Sequence, residues 1–275
     1  MIVIADSGST KCNWQLVDDS GSVRRVQSRG INAVLQRPDE VEALLRETFA
    51  EPVQADALHF YGAGCGERYP EQSARLREAL ARYFPAARIA VESDLMGAAR
   101  ALLGGRAGIA CILGTGSNSC WYRDDRIVQH VSPLGYVLGD EGGGAVLGRN
   151  LVNGIFKGHI PLKEEFLAAH GLSYEEIIRR VYREPYANRF LASFAPFIYA
   201  HITRPDIREM VLASFRDFAA RNLSRYPAGL PVSFVGGVAA HFEALLREAL
   251  EAEGYRVETI VESPAEGLSK YHHGT

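Results

Sequence analysis

Long apolar runs, basic stripes and clustered cysteines are all missing from this chain, and each absence removes a class of function. No stretch approaches the roughly 18 consecutive apolar residues of a membrane span, so no association with a bilayer is expected. Lys and Arg number 30 against 33 Asp and Glu, interspersed, for a formal net charge of -3. That leaves neither a basic face for nucleic acid nor a polybasic segment for anionic lipid. The four cysteines, Cys12, Cys65, Cys111 and Cys120, make no Cys-x-x-Cys and no Cys/His metal pattern. They are expected to be reduced and structural, with Cys111 a small hydrophobe inside the run from Ile109 to Leu113. Met1-Ile2-Val3-Ile4 enters a strand directly, without a basic leader or cleavage site, and the expected location is cytoplasmic. What remains is a globular chain of 275 residues, 47% hydrophobic, that fits two modest domains better than one and has a small molecule as its expected partner.

What the chain does contain is a repeat. Ile4-Ala5-Asp6-Ser7-Gly8-Ser9-Thr10-Lys11-Cys12 returns as Ile112-Leu113-Gly114-Thr115-Gly116-Ser117-Asn118-Ser119-Cys120. At a constant offset Ile4 matches Ile112, Gly8 matches Gly116, Ser9 matches Ser117 and Cys12 matches Cys120, and each copy lies between two apolar strand-like runs. Turns rich in Gly, Ser and Thr let the backbone approach a ligand and offer it N–H and hydroxyl donors, which suits a phosphate chain. Two such hairpins facing each other across a cleft imply a protein that handles ATP.

The periodicity predicts strands over Ile2 to Ala5, Cys12 to Val17 and Val23 to Ser28, a helix from Asp39 to Phe49, a strand from Leu58 to Tyr61, a helix from Glu71 to Phe84, a strand from Arg88 to Val91, and a helix opening at Ser93 or Asp94. This β-β-β-α-β-α-β-α order is that of a ribonuclease-H-like half. Gly104-Gly105-Arg106-Ala107-Gly108 reads as a hinge. After it strands recur at Ile109 to Leu113, Ser119 to Tyr122 and Ile127 to His130. Residues 149 to 226 read as a helical elaboration, including one stretch from Phe190 to Ile202. Strand character returns at Val232 to Val235, followed by a helix from Phe242 to Glu253, a strand from Arg256 to Val261 and a tail helix from Pro264 to Tyr271. The predicted fold class is α/β, with two ribonuclease-H-like domains over residues 1–106 and 107–263; residues 264–275 pack back on the first.

Several residues stand where chemistry is expected. Asp6 ends the first strand, so its carboxylate could hold Mg2+, directly or through water, while Gly8, Ser9, Thr10 and Lys11 meet the β and γ phosphates; the alternative is a turn residue bonding its own backbone. Asp94 sits where a strand hands over to a helix. It could accept the proton of a substrate hydroxyl, or cap the helix, a role for which Ser93 competes. Pro133 to Gly144 is too polar and flexible for a core strand, and its Asp140 and Glu141 precede a helix; Asp140 would bond sugar hydroxyls, and Glu141 could do so or support the loop. Gly236-Gly237-Val238-Ala239, between strand and helix, would let adenine or ribose lie on the backbone, though many ordinary turns look alike. Asn32 is either a substrate contact or a turn former.

These segments together resemble the N-acetylglucosamine kinases of the BadF/BadG/BcrA/BcrD ATPase group, within the superfamily of actin, sugar kinases and Hsp70. Asp6 to Lys11 resembles the first phosphate motif, Leu113 to Ser119 the second, and Val235 to Ala239 the adenosine motif. Ser93 to Arg100 is similar to the segment with the catalytic aspartate, and Leu138 to Gly142 to the sugar loop. The resemblance implies an actin-like fold facing a nucleotide cleft and ATP-dependent phosphorylation of an amino sugar, N-acetylglucosamine to its 6-phosphate, with ATP and Mg2+ as cofactors. It implies Asp94 as general base, Asn32, Ser117, Asn118, Gly135 and Asp140 at the sugar, and Thr10, Gly114, Thr115, Gly116, Gly236 and Gly237 on the ATP side. A homodimer is what the family suggests. Other members activate dehydratases through an iron-sulfur cluster, for which these cysteines are too scattered. A nucleotide-driven switch, a sugar sensor, and kinases for glucosamine or N-acetylmuramic acid are the alternatives.

Overall fold

The computed structural model of the protein describes residues 1–8, 11–49 and 51–273. The chain divides into two compact units, one comprising Met1–Gly105 with the segment that begins at Pro264, the other Arg106–Ser263.

In the first unit five strands, β1 (Ile2–Ser7), β2 (Lys11–Val17), β3 (Val23–Arg29), β4 (Ala57–Gly62) and β5 (Arg88–Ser93), form one sheet in the order β3-β2-β1-β4-β5. The first three are antiparallel neighbours, and β4 and β5 extend the sheet in parallel from β1. Helices α1 (Pro38–Thr48), α2 (Pro70–Tyr83) and α3 (Asp94–Leu103) follow in sequence. Period-2 alternation explains why β1 is apolar on both faces. Val3 and Ala5 enter a core with Trp14, Leu45, Phe60, Leu80 and Phe84, whereas Ile4 joins Tyr61 and Leu268 on the opposite face. Asp6 is two residues beyond Ile4, so it lies on the Ile4 face, the one on which α3 packs.

The second unit repeats this order. Strands β6 (Gly108–Leu113), β7 (Ser117–Arg123), β8 (Arg126–Val131), β9 (Val232–Val235) and β10 (Val257–Val261) form a sheet in the order β10-β9-β6-β7-β8, again with three antiparallel and two parallel members. Between β8 and β9 run α4 (Gly135–Leu138), α5 (Gly144–Phe156), α6 (Lys163–His170), α7 (Tyr174–Tyr182), α8 (Ala187–Ala192), α9 (Ala195–Ala200) and α10 (Pro205–Arg221). Then come α11 (Gly237–His241) and α12 (Glu243–Ala252), and α13 (Ala265–His273) closes the chain in the first unit. Ile109, Cys111 and Leu113 of β6 face a core with Leu147, Leu151, Phe215, Phe218 and Phe234. All four cysteines are free and buried.

Three expectations change. The single helix expected from Phe190 to Ile202 is broken into α8 and α9, because Pro196 lies in the first turn of α9 and cannot continue a preceding helix. The helix expected from Phe242 is preceded by α11, which starts directly at Gly237. β1 and β5 run on to Ser7 and Ser93, so Asp6 lies inside its strand rather than at its end.

Candidate active site

Asp6 is half-buried on β1, directly across from Asn13 of β2. The Asn13 side chain donates to its carboxylate, and Asn13 Oδ1 accepts from Gln27 Nε2 at 2.9 Å. Burial first, then the negative charge of Asp94, push the Asp6 pKa up to about 6, against the lowering effects of Asn13 and Lys11. Gly8 opens the turn, its N–H donating to Lys11 O at 3.0 Å, and Lys11 is exposed. Ser9 and Thr10, expected at the phosphates, lie outside the described residues.

Asp94 is the first residue of α3, yet it does not cap that helix. Ser93 does, its Oγ accepting the Met96 N–H at 3.1 Å. Asp94 Oδ1 accepts from the adjacent Leu95 N–H at 2.8 Å, and burial raises its pKa. The competition between Ser93 and Asp94 for the cap is therefore decided for Ser93, and the carboxylate is left to other work. The turn Gly64-Cys65-Gly66 holds this end of α3 in place. A Cβ at Gly66, whose φ is +93°, would lie 3.1 Å from Ser93 N; one at Gly64 would lie 2.9 Å from Asn32 Oδ1. Gly66 N–H is fixed by Ser73 Oγ at 2.9 Å. One glycine turn thus sets both the Asn32 loop and the start of α3.

Asn32 does form a turn, since its Oδ1 accepts the Val34 N–H at 2.9 Å. That bond orients the side chain, fixing which end is the oxygen and which the N–H donors. The loop is tied to β1 through buried Ser7, whose Oγ donates to Ile31 O at 2.9 Å and accepts from Ile31 N at 2.7 Å.

In the second unit the turn between β6 and β7 is made by Gly114, Thr115 and Gly116, with Gly114 N–H donating to Gly116 O at 2.9 Å. The carbonyls of Gly114 and Thr115 accept the Gly144 and Ala145 N–H groups, both at 2.8 Å. These are two of the otherwise unsatisfied donors at the start of α5. The constant sequence offset is accordingly not a constant register. Ser7 pairs with Cys12 in the first hairpin, but Leu113 pairs with Ser117 in the second, where the first strand ends two positions earlier in the repeat and the turn is one residue shorter. Ser117, expected in the turn, belongs to β7.

Asp140 follows α4 in a left-handed conformation, φ +55°, which Asp tolerates better than most residues. Its N–H donates to Pro133 O at 2.8 Å, closing the loop that contains exposed Gly135, and its carboxylate accepts the Ser117 N–H. Burial raises its pKa to about 6, and Glu141 adds to the rise. Glu141 is turned to α10 instead, 3.4 Å from Asn222 Nδ2 and 3.7 Å from Arg221 Nε. It supports the loop. Asn118 Oδ1 accepts from Ser119 N–H and from His130 Nε2. Gly236, at φ +129°, lies so close to β6 that a Cβ would come within 2.2 Å of Leu113 O, whereas a Cβ at Gly237 would meet nothing described within 4 Å. Gly236 is thus required by packing, and Gly237 presents open backbone.

Asn13, Ser7, Gly66 and His130 were missed from sequence. Asn13 alone had a usable signal, since the register of a hairpin closed between Gly8 and Lys11 puts it opposite Asp6.

No group of three or more His, Cys, Asp or Glu placed to hold a metal occurs among the described residues. Mg2+ does not require one, because it keeps several waters and takes one or two carboxylates beside phosphate oxygens. The Asp94 charge that raises Asp6 is of the sign a cation relieves, so these residues fit the ion and Asp6 could hold it.

No protein-family model and no curated protein matches the chain. Solved structures do. A Porphyromonas gingivalis protein provisionally assigned as an N-acetylglucosamine kinase is 43% identical over 100% of this chain and 99% of its own, with a TM-score of 0.95. A Chromobacterium violaceum protein with the same provisional assignment shares the fold at 20% identity, covering 98% of both chains, with a TM-score of 0.77. A Streptomyces griseus ROK family glucokinase, solved with glucose and AMPPNP, shares it at 15% identity, covering 100% of this chain and 98% of its own, with a TM-score of 0.57. The two five-stranded sheets with their flanking helices are the two-domain fold of the actin-like ATPases and sugar kinases.

Proposed function

We propose, from the premise that the chain belongs to the N-acetylglucosamine kinase family of sugar kinases, that it transfers the γ-phosphoryl group of ATP to the 6-hydroxyl of an amino sugar, N-acetylglucosamine being the expected acceptor. The observation that carries this reading is Asp94: a carboxylate at the first turn of α3, relieved of capping by Ser93, raised in pKa, and near enough to Asp6 to raise that residue too.

A raised carboxylate pKa brings the base closer to the acidity of the proton it must receive. In the transfer, the sugar 6-hydroxyl gives its proton to Asp94, the 6-oxygen bonds to the γ-phosphorus, and the bond from that phosphorus to the β–γ bridging oxygen breaks, its electron pair leaving with ADP. Asp6 would hold Mg2+, which supplies charge neutralisation at the β and γ phosphates. Lys11 adds a positive charge beside the same turn. The N–H donors of Asn32 and Asn118 and the Asp140 carboxylate bind the sugar, and Gly237 receives the adenosine.

A coupled ADP-release assay tests this over N-acetylglucosamine, glucosamine, N-acetylmuramic acid, N-acetylmannosamine and glucose. Release that depends on N-acetylglucosamine supports the reading, and ADP release indifferent to every sugar overturns it. Asp94→Asn should lower kcat by about 10² to 10⁴ while ATP affinity stays within about twofold. Near wild-type turnover in that variant removes Asp94 from the role.

A further inference from the structure

Asn118, read above as a sugar contact, is paired with His130, a residue that none of the chemistry above uses. They lie diagonally across the β7–β8 ladder, where His130 is the direct partner of Cys120, two residues along from Asn118 on the same face. Asn118 Oδ1 accepts from Ser119 N–H at 3.0 Å and from His130 Nε2 at 2.8 Å. The Ser119 backbone can only donate, so it decides which end of the amide is oxygen. With oxygen at that end, His130 Nε2 must carry a proton, whatever the state of Nδ1. Both N–H donors of Asn118 are then directed away from the pair.

We infer that His130 is a positioning residue for the substrate: it locks the Asn118 amide so that only donors face the sugar, which selects an acceptor oxygen, hydroxyl or carbonyl, at that contact. The inference rests on the reading of Asn118 as a sugar contact. Asn32 shows a partial counterpart in the other unit, its Oδ1 accepting the Val34 N–H on one of its two lone pairs. Ionised Asp140, fixed by the Ser117 N–H next to Asn118 in sequence, supplies the opposite polarity, an acceptor. A sugar hydroxyl can satisfy both kinds of group, because it accepts on a lone pair and donates its own proton. An unlocked Asn118 could rotate to present oxygen, and the selection would be lost.

Steady-state kinetics of His130→Ala, His130→Gln and Asn118→Ala, with sugar and ATP varied separately, test the lock. His130 is half-buried on the edge strand, so its removal should leave the fold intact. His130→Ala should raise the sugar KM about tenfold, with kcat and the ATP KM within about twofold. His130→Gln should recover most of the loss, because its amide N–H can reach the same oxygen. The inference fails if His130→Ala leaves the sugar KM unchanged while Asn118→Ala raises it, or if Gln does no better than Ala. An unchanged sugar KM in Asn118→Ala overturns both this inference and the sugar assignment beneath it. Nitrogen-15 NMR of the imidazole gives a readout independent of turnover: the proton should reside on Nε2 in the wild type and lose that preference in Asn118→Ala. A wild-type ring protonated only at Nδ1 overturns the lock directly.

Discussion

The two glycine-rich hairpins occupy equivalent places in their sheets and share a sequence pattern, but they are secured by different means. In the first, Ser7 extends β1 and binds the Ile31 backbone, Asn13 holds Asp6, and the turn carries four residues between its innermost paired positions. In the second, the carbonyls of Gly114 and Thr115 leave the ladder to satisfy the start of α5, and the turn shrinks to three. Each hairpin therefore fixes a different neighbour, the Asn32 loop in one case and the α5 terminus with Asp140 in the other. A repeated motif has kept its topology while its two copies diverged in chemistry: one holds an acid, the other holds a loop.

The sharpest way to break this comparison is to neutralise one acid in each half. Asp6→Asn should lower kcat by about a hundredfold or more, because the charge that would hold the cation is lost. Asp140→Asn should act mainly on the sugar, raising its KM more than about tenfold. Similar kinetic defects in the two variants would erase the proposed division of labour. The Asp6 variant also carries a signature in stability. The folded-state pKa of Asp6, about 6, lies above its ordinary value of 3.8, so the protonated form is favoured by folding. Its contribution is fully present below about 3.8 and lost as pH rises through about 6. With EDTA present, Asp6→Asn should melt above wild type at pH 8 and level with it near pH 4; the reverse order would show that burial and Asp94 do not strain this carboxylate.

A smaller effect separates architecture from the proposed binding in the Gly236-Gly237 turn. Gly236→Ala should cost about 3 kcal/mol or more in denaturant unfolding, since the new methyl meets the Leu113 carbonyl and the backbone is left-handed there. Gly237→Ala should change stability by less than about 0.5 kcal/mol yet raise the ATP KM. On the first hairpin the counterpart is Ser7→Ala, which strands the Ile31 N–H and should cost about 1 to 3 kcal/mol.

How much of this was legible in the sequence follows the range of each interaction. The succession of strands and helices along the chain, the repeat and the helical elaboration are written in local periodicity, and most were readable to within a few residues. The position of Asp94 at a strand-to-helix junction was readable too, but its freedom from capping was not, because Ser93 and Asp94 are equally good caps on paper. The register of the second hairpin could not be read, since it is set by α5 donors nearly thirty residues downstream. The turn Gly64-Cys65-Gly66 is visible as punctuation, whereas its task of seating Ser93 and Asn32 exists only once three separate segments have packed. His130 sits in an unremarkable edge strand, and nothing but the ladder brings it to Asn118.

The smallest expected effect concerns the neighbouring acids Asp140 and Glu141, which composition alone does not distinguish. Asp140 is gripped by the Ser117 N–H on the hairpin itself, whereas Glu141 reaches Asn222 and Arg221 only at 3.4 and 3.7 Å. Contacts of that length, on an Arg side chain that is largely exposed, contribute little: a pair of this kind is worth roughly 0 to 1 kcal/mol. Glu141→Gln keeps the size of the side chain and can still bond Asn222, so the loop should hold its shape. The sugar KM should change by less than about threefold, against more than about tenfold for Asp140→Asn. The two variants differ only in which acid of an adjacent pair loses its charge, so matching sugar KM values would mean that the loop binds through its net charge, and the Ser117 grip on Asp140 would carry no specificity.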